Sequence, residues 1–214
     1  LSLGSSRPAA LPTDVRLEAL NDEFDLGGTD RDPQIYALHF QFGRYLLISS
    51  SRKGYFPPGY IYWCPDLFSE WFGGHADDVN EQMNYWAADV CNMPELLEPF
   101  FDVLDSYVEG AKGVAKYNYG SRGMMISGFT PYGMTGPKDI WPGLEGRVGF
   151  PAGTGWFAQH YWEHYLFTLD EAFLRTRAYP FIKQAALFYL DYLAEDPETG
   201  NLVSFPDFSP EGPY

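Results

Sequence analysis

Positive charge is scarce in this chain. It carries 14 Lys and Arg against 29 Asp and Glu, a net charge of -15 over 214 residues, and no basic cluster interrupts that balance. Nucleic acid and anionic membrane surfaces would be repelled by such a polyanion, so neither is an expected partner. Long apolar runs are also missing. None approaches the roughly 18 residues a membrane span needs, and residues 1–12 lack the charged segment followed by an apolar one that marks a signal peptide. Cysteine is limited to Cys64 and Cys91, which permit one disulfide without demanding it and show no metal-ligand spacing. Period-two alternation, the mark of half-buried strands, is almost absent. No metal and no cofactor is expected.

Aromatic side chains are abundant instead: 18% of the residues, with 6 Trp, 16 Tyr and 17 Phe. Most must fill a core, but many stand next to Asp, Asn and Gln. Planar rings beside such groups suit sugars, whose CH faces stack on rings while their hydroxyls take polar partners. The mixture is densest in Ala76-Asp77-Asp78-Val79-Asn80-Glu81-Gln82-Met83-Asn84-Tyr85-Trp86. Buried polar groups are tolerated only when paired, so this cluster needs water or a polar ligand beside it. The plainer reading is an acidic loop capping a helix that begins near Asn80, with Met83, Tyr85 and Trp86 plugging that helix into the core.

Helical spacing dominates the rest. Residues 1–31 open as a Ser/Gly/Pro-rich linker, with a helix start at Leu11-Pro12-Thr13-Asp14 and a polar turn over 21–31. From Asp32 and Pro33 an almost all-round apolar helix runs to about Ser49 and is expected to be buried on most sides. A long Gly/Pro/aromatic loop occupies 53–74, and loops of that length tend to be functional. Asn92 is a candidate N-cap with Pro94 in the first turn, opening the most amphipathic helix, on which Leu97, Phe100, Phe101, Leu104, Tyr107, Val108 and Ala111 share a face. After a second irregular stretch over 117–144, expected on the same side as the first, come helices over about 154–168, from Asp170 to about Ala178, and 181–193, then a turn over 195–201. About five long helices in pairs, with long loops collected between them, predict an all-α, (α/α)-type toroid or half of one.

Two local patterns suggest chemistry. His160-Tyr161-Trp162-Glu163-His164 has the H-x-x-E-H spacing of inverted zinc peptidases. No third ligand pattern accompanies it, and its aromatic neighbours favour two packing histidines on a wall helix. Glu211 lies in a Pro-flanked aromatic loop, a setting that favours the protonated form a general acid needs, although a surface turn would look the same.

Taken together, several blocks are similar to the successive signatures of glycoside hydrolase family 95, the α-L-fucosidases and α-L-galactosidases. They are Phe40-Gln41-Phe42-Gly43-Arg44-Tyr45-Leu46-Leu47-Ile48-Ser49-Ser50-Ser51-Arg52, Asn80 with Met83-Asn84-Tyr85-Trp86, Gln159-His160-Tyr161-Trp162-Glu163-His164-Tyr165, Glu195-Asp196-Pro197-Glu198-Thr199-Gly200 and Ser209-Pro210-Glu211, in that order over residues 11–214. The resemblance implies a partial (α/α)6 barrel over 32–214, its first half, with 1–31 as the linker from an N-terminal domain. The remainder of the barrel would then be a partner, in the same or a complementing chain.

The implied reaction is exo-acting hydrolysis with inversion, releasing a terminal α-L-fucose- or α-L-galactose-like sugar from an oligosaccharide or polysaccharide. One carboxylic acid protonates the glycosidic oxygen while a base activates water on the opposite face. Glu211 matches the family's acid. The water is held in the family by two Asn residues spaced two apart; Asn80 matches the second, and Asp78 stands where the first is expected. A carboxylate accepts hydrogen bonds and can take a proton, whereas an amide also donates, so Asp78 is a candidate base with Asn80 orienting the water. Trp63, Asn84, Tyr85, Trp86, Trp156 and His160 are the implied substrate-binding residues. Two blocks differ from the family: Ser127-Gly128-Phe129-Thr130-Pro131 replaces a His-His-Asn-Thr-Asp segment, and Tyr60-Ile61-Tyr62 precedes Trp63 in place of Leu-Gln-Gly. A specificity-shifted or non-catalytic carbohydrate-binding relative is therefore the alternative. A secreted or periplasmic location is expected.

Overall fold

The computed structural model describes residues 10–25, 32–58, 75–76, 79–126, 129–130 and 150–205. Contacts divide the chain into two units, Leu1–Ser49 and Ser50–Tyr214.

In the first unit, helix α1 (Thr13–Asp25) starts where the sequence signals it and runs into the expected polar turn. Asp, Glu and Phe do not break a helix, and the first strong breakers are Gly27 and Gly28. Arg16 on α1 grips Asp32 with Nε to Oδ2 at 2.7 Å and Nη2 to Oδ1 at 3.3 Å, both side chains being nearly buried. This two-pronged ion pair ties α1 to the residue that precedes helix α2 (Pro33–Ser50). The expectation that α2 is buried on most sides is corrected. Ile35, Ala37 and Leu47 are buried, while Tyr36, Phe40, Phe42, Tyr45 and Ile48 are exposed. An all-round apolar helix carries no information about which face finds a partner.

The second unit is built on α3 (Asn80–Val90), a 3-10 turn at Pro94–Leu97, α4 (Glu98–Tyr119) and α5 (Ala152–Thr168). It ends in a continuous helical run of α6 (Glu171–Phe173), a π turn (Leu174–Ala178) and α7 (Tyr179–Tyr192). Asn92 does not cap α4. It takes a left-handed φ of 57° between α3 and the 3-10 turn, a conformation Asn tolerates better than most residues, and Met93 precedes Pro94 with no side-chain cap. Asp170 does cap, its Oδ1 accepting from the backbone of Ala172 at 2.8 Å and Phe173 at 3.0 Å. The expected break at Ala178–Tyr179 is a π turn: Pro180 lacks an N–H and its ring crowds the carbonyl one turn back, and the wider turn accommodates both defects without ending the helix.

Aromatic packing centres on α4. Phe100 meets Tyr85 of α3 at 4.7 Å and Phe157 of α5 at 5.8 Å between ring centres, and Phe101 meets Tyr161 at 4.5 Å. Tyr161 in turn stacks on Phe181 of α7 at 4.2 Å. Phe100 and Leu104 are buried, whereas Leu190 on α7 is 72% exposed. A smaller cluster of Ala115, Met125, Phe188 and Tyr192 forms where the loop after α4 lies on α7.

Strands among the described residues are two short antiparallel ladders, β1 (His75–Ala76) with β2 (Phe129–Thr130) and β3 (Ala194–Glu195) with β4 (Leu202–Val203). The first ladder pairs the two residues that follow one long irregular stretch with two residues within the other. The described structure is thus all-α in class, and no described helix is long and apolar enough to cross a membrane.

Candidate functional site

The sequence block 83–86 is divided by helix geometry. Successive residues on a helix are about 100° apart, so neighbours serve different faces. Asn80 is the first residue of α3 and is half-buried; Val79 precedes it without a side-chain cap. Asn84, one turn further, donates from Nδ2 to the Pro58 carbonyl at 3.0 Å, anchoring the start of the long loop. Tyr85 points inward and is 2% exposed. Its hydroxyl lies 2.7 Å from Ser51 Oγ, which itself lies 2.7 Å from the Leu96 carbonyl. A serine hydroxyl has one proton, and the carbonyl can only accept it, so the Tyr85 phenol donates to Ser51. Trp86 faces outward at 51% exposure.

Helix α5 brings the second tryptophan. Trp86 and Trp156 approach with ring centres 6.2 Å apart and planes at 54°. His160, one turn on from Trp156, is buried against Phe100, its Nδ1 3.1 Å from the Trp156 carbonyl and its Nε2 3.3 Å from the Gln82 carbonyl of α3. His164 binds Asp89 of α3 at 3.0 Å through Nδ1, with both side chains largely buried. The two histidines of the H-x-x-E-H pattern are thus rivets between α5 and α3, and Glu163 is exposed. Among the described residues no three potential metal ligands gather.

Beside Trp156 lies an open depression of about 490 Å³, lined by Pro151, Ala152, Gly155, Trp156, Gln159, Tyr189, Tyr192, Leu193 and Ser204. The Trp156 indole, an exposed Gln159 amide and tyrosine rings line it, with the Trp86 indole beside Trp156, a surface suited to a pyranose: ring stacking for its CH face and polar groups for its hydroxyls. A polar network also braces the helices of this unit. Tyr161 donates to Asp105 at 2.6 Å, and Arg177 of the π turn binds Asp105 at 2.7 Å and Asp102 at 2.8 Å. Burial first, and then the Asp105 carboxylate, push the Tyr161 phenol well above its ordinary value, so it remains a neutral donor.

Of the residues singled out in the sequence, the structure brings Trp86 and Trp156 together at the surface, sets Asn80 at the head of α3, and turns the polar atoms of Tyr85 and His160 to interior protein partners. Glu211, Asp78 and Trp63 lie outside the described residues, as does Cys64; Cys91 is a free thiol. Tyr189 and Tyr192 are invisible as site residues in the sequence, because each is one ring in an apolar helical run and its role depends on α5.

The sequence model of the glycosyl hydrolase family 95 catalytic domain matches residues 1–214. The chain belongs to glycoside hydrolase family 95. It is 36% identical over 190 residues to α-L-fucosidase 2 of Arabidopsis thaliana, a match covering 86% of this chain and 22% of that protein. It is 35% identical over 186 residues to the probable α-fucosidase A of Aspergillus niger, covering 84% of this chain and 23% of that protein. The chain thus spans less than a quarter of the length of these family 95 relatives. Family membership accounts for the helical architecture and for the order of the signature blocks.

Proposed function

We propose that the polypeptide containing this stretch is an inverting exo-glycosidase that removes a terminal α-L-fucose- or α-L-galactose-like sugar from a glycan. The observation that carries this reading is the Trp86–Trp156 pair, held by buried contacts between α5 and the helix that Asn80 opens, in a chain of this family. In the proposed mechanism Glu211 protonates the leaving oxygen. Water on the opposite face is oriented by Asn80 and deprotonated by Asp78. Trp63, Trp86 and Trp156 stack on the sugar, and Asn84, Tyr85 and His160 contribute by fixing α3, its loop and α5 relative to one another. The proposal includes the remainder of the barrel as a partner, in the same or a complementing chain. The much longer relatives and the exposed apolar side chains Trp162, Leu166 and Phe167 on α5 support it. An extracytoplasmic location belongs to the same proposal and rests on the glycan substrate alone; cell fractionation tests it.

Asp78 in place of an amide, and 127–131 in place of the family's segment, favour a second reading, a carbohydrate-binding relative with altered specificity or no turnover. Proton NMR of the full-length polypeptide acting on aryl α-L-fucoside and α-L-galactoside separates the two. The β-anomer as first product supports the first reading. The α-anomer, or binding without release, overturns it.

A further inference from the structure

We infer that Tyr189 is a positioning residue for Trp156, acting through an opened first turn of α5. This rests on the reading that Trp156 faces the sugar. In a regular helix the Gly155 N–H would bond to the Pro151 carbonyl one turn back. Here the Tyr189 hydroxyl stands between them: Gly155 N–H donates to it at 2.9 Å, and it donates to the Pro151 carbonyl at 2.6 Å. A side chain inserted into the hydrogen-bond ladder in this way bends a helix and sets the direction of the next residues. Trp156 is the very next residue, and its indole and the Tyr189 ring both line the same depression. On its other side the turn is fixed by Thr154, whose buried Oγ1 accepts from Ile126 N at 2.8 Å, so the tyrosine hydroxyl is the adjustable contact.

Gly155 is what allows the approach. A Cβ there would fall 2.8 Å from Tyr189 Oη and 3.3 Å from two ring carbons. The hydroxyl would have to leave the gap, and the turn would close to the regular bond. Tyr189→Phe removes the same bridge without adding bulk. Both variants are expected to turn Trp156 relative to Trp86.

The test uses the full-length polypeptide and compares Tyr189→Phe, Gly155→Ala, Trp156→Ala and the Tyr189→Phe/Trp156→Ala double variant. With an aryl α-L-fucoside, Tyr189→Phe is expected to raise KM about three- to tenfold, the effect of one lost neutral hydrogen bond at a binding group, with kcat nearly unchanged. In the Trp156→Ala background it should add nothing, because the two residues act as one unit. Independently of turnover, Tyr189→Phe and Gly155→Ala should change the part of the near-ultraviolet circular dichroism that Trp156→Ala abolishes and should speed hydrogen exchange over 151–156. Additive KM losses, or a lower Tm with KM, dichroism and exchange at wild-type values, would overturn the inference. If no glycoside is turned over, the functional reading falls, while dichroism and exchange still decide whether Tyr189 positions Trp156.

Discussion

Gly123→Ala should be among the most damaging single substitutions in the second unit. Gly123 has a φ of +72°, and a Cβ added there would lie 2.1 Å from the Gln184 carbonyl oxygen and 2.5 Å from the Phe188 nitrogen. Both are main-chain atoms of α7 and cannot rotate away. The substitution therefore carries about 1–2 kcal/mol for an alanine in left-handed conformation and about 1–3 kcal/mol for forcing the loop off the helix. Lifting the loop also strains Met124 N–H to Gln184 at 3.2 Å and Met125 N–H to Ala111 at 3.1 Å, adding about 1 kcal/mol per bond lost. With both bonds lost the total is about 4–7 kcal/mol. Gly120 provides the control: its φ is +65°, yet nothing lies within 4 Å of its would-be Cβ, so Gly120→Ala should cost only the conformational part, about 1–2 kcal/mol. Calorimetry of the two variants side by side in the intact polypeptide, with hydrogen exchange over 184–188 to localise the effect, reads the difference. Equal destabilisation by the two alanines would show that close approach to α7 contributes nothing.

Asp191 receives three hydrogen bonds from Arg122, two of them from its guanidinium, and these hold its carboxyl at about 2, below the ordinary 3.8. The pair's contribution is present above pH 4 and lost as pH falls toward 2. Asp191→Asn should therefore melt below wild type at pH 6, with the gap closing between pH 4 and 2; a constant gap contradicts this. Tyr161, whose phenol is raised well above 10, stabilises the fold as a neutral group. The raised value means that the unfolded chain loses this proton first, so the effect is present below pH 10 and lost as pH rises beyond it. Wild type should thus lose its advantage over Tyr161→Phe as pH rises above about 10, as read from denaturation midpoints. Ser51→Ala removes the acceptor of the Tyr85 phenol in a buried site and should cost about 1–3 kcal/mol; Tyr85→Phe in that background should recover part of the loss.

The amphipathic face of α4 is legible in the sequence because period and burial agree: Phe100, Phe101, Leu104, Tyr107 and Ala111 are all buried. The start of α3 at Asn80 is legible from the change in composition there, and the cap at Asp170 from its side chain. Burial of α2 is not, since its apolar residues run all round and only contact can choose a stripe. Asn92 reads equally as an N-cap and as a left-handed turn, and backbone geometry decides for the turn. At the site, residue types in 83–86 announce polar and stacking chemistry, but their division among anchor, core and surface comes from the helix. Tyr189 cannot be found from sequence at all. Its partners are a backbone N–H and a backbone carbonyl on α5. Every residue has the carbonyl and all but proline the N–H, so no side-chain pattern marks them.

Of the stretches that depart from the resemblance, two adjoin one ladder in sequence, while Tyr60-Ile61-Tyr62 does not. Asp78 stands two residues after β1, and Ser127-Gly128 directly precede β2, the strand paired with it through His75↔Thr130 and Ala76↔Phe129. Three side chains of the helical blocks are locked by interior contacts: Tyr85 through Ser51, His160 through Gln82, His164 through Asp89. Change at those positions would remove a partner from a buried polar group, at about 1–3 kcal/mol each. In the proposed mechanism Asp78→Asn removes the base and should lower turnover of whichever glycoside is the substrate, and unchanged hydrolysis by that variant would remove Asp78 from the mechanism.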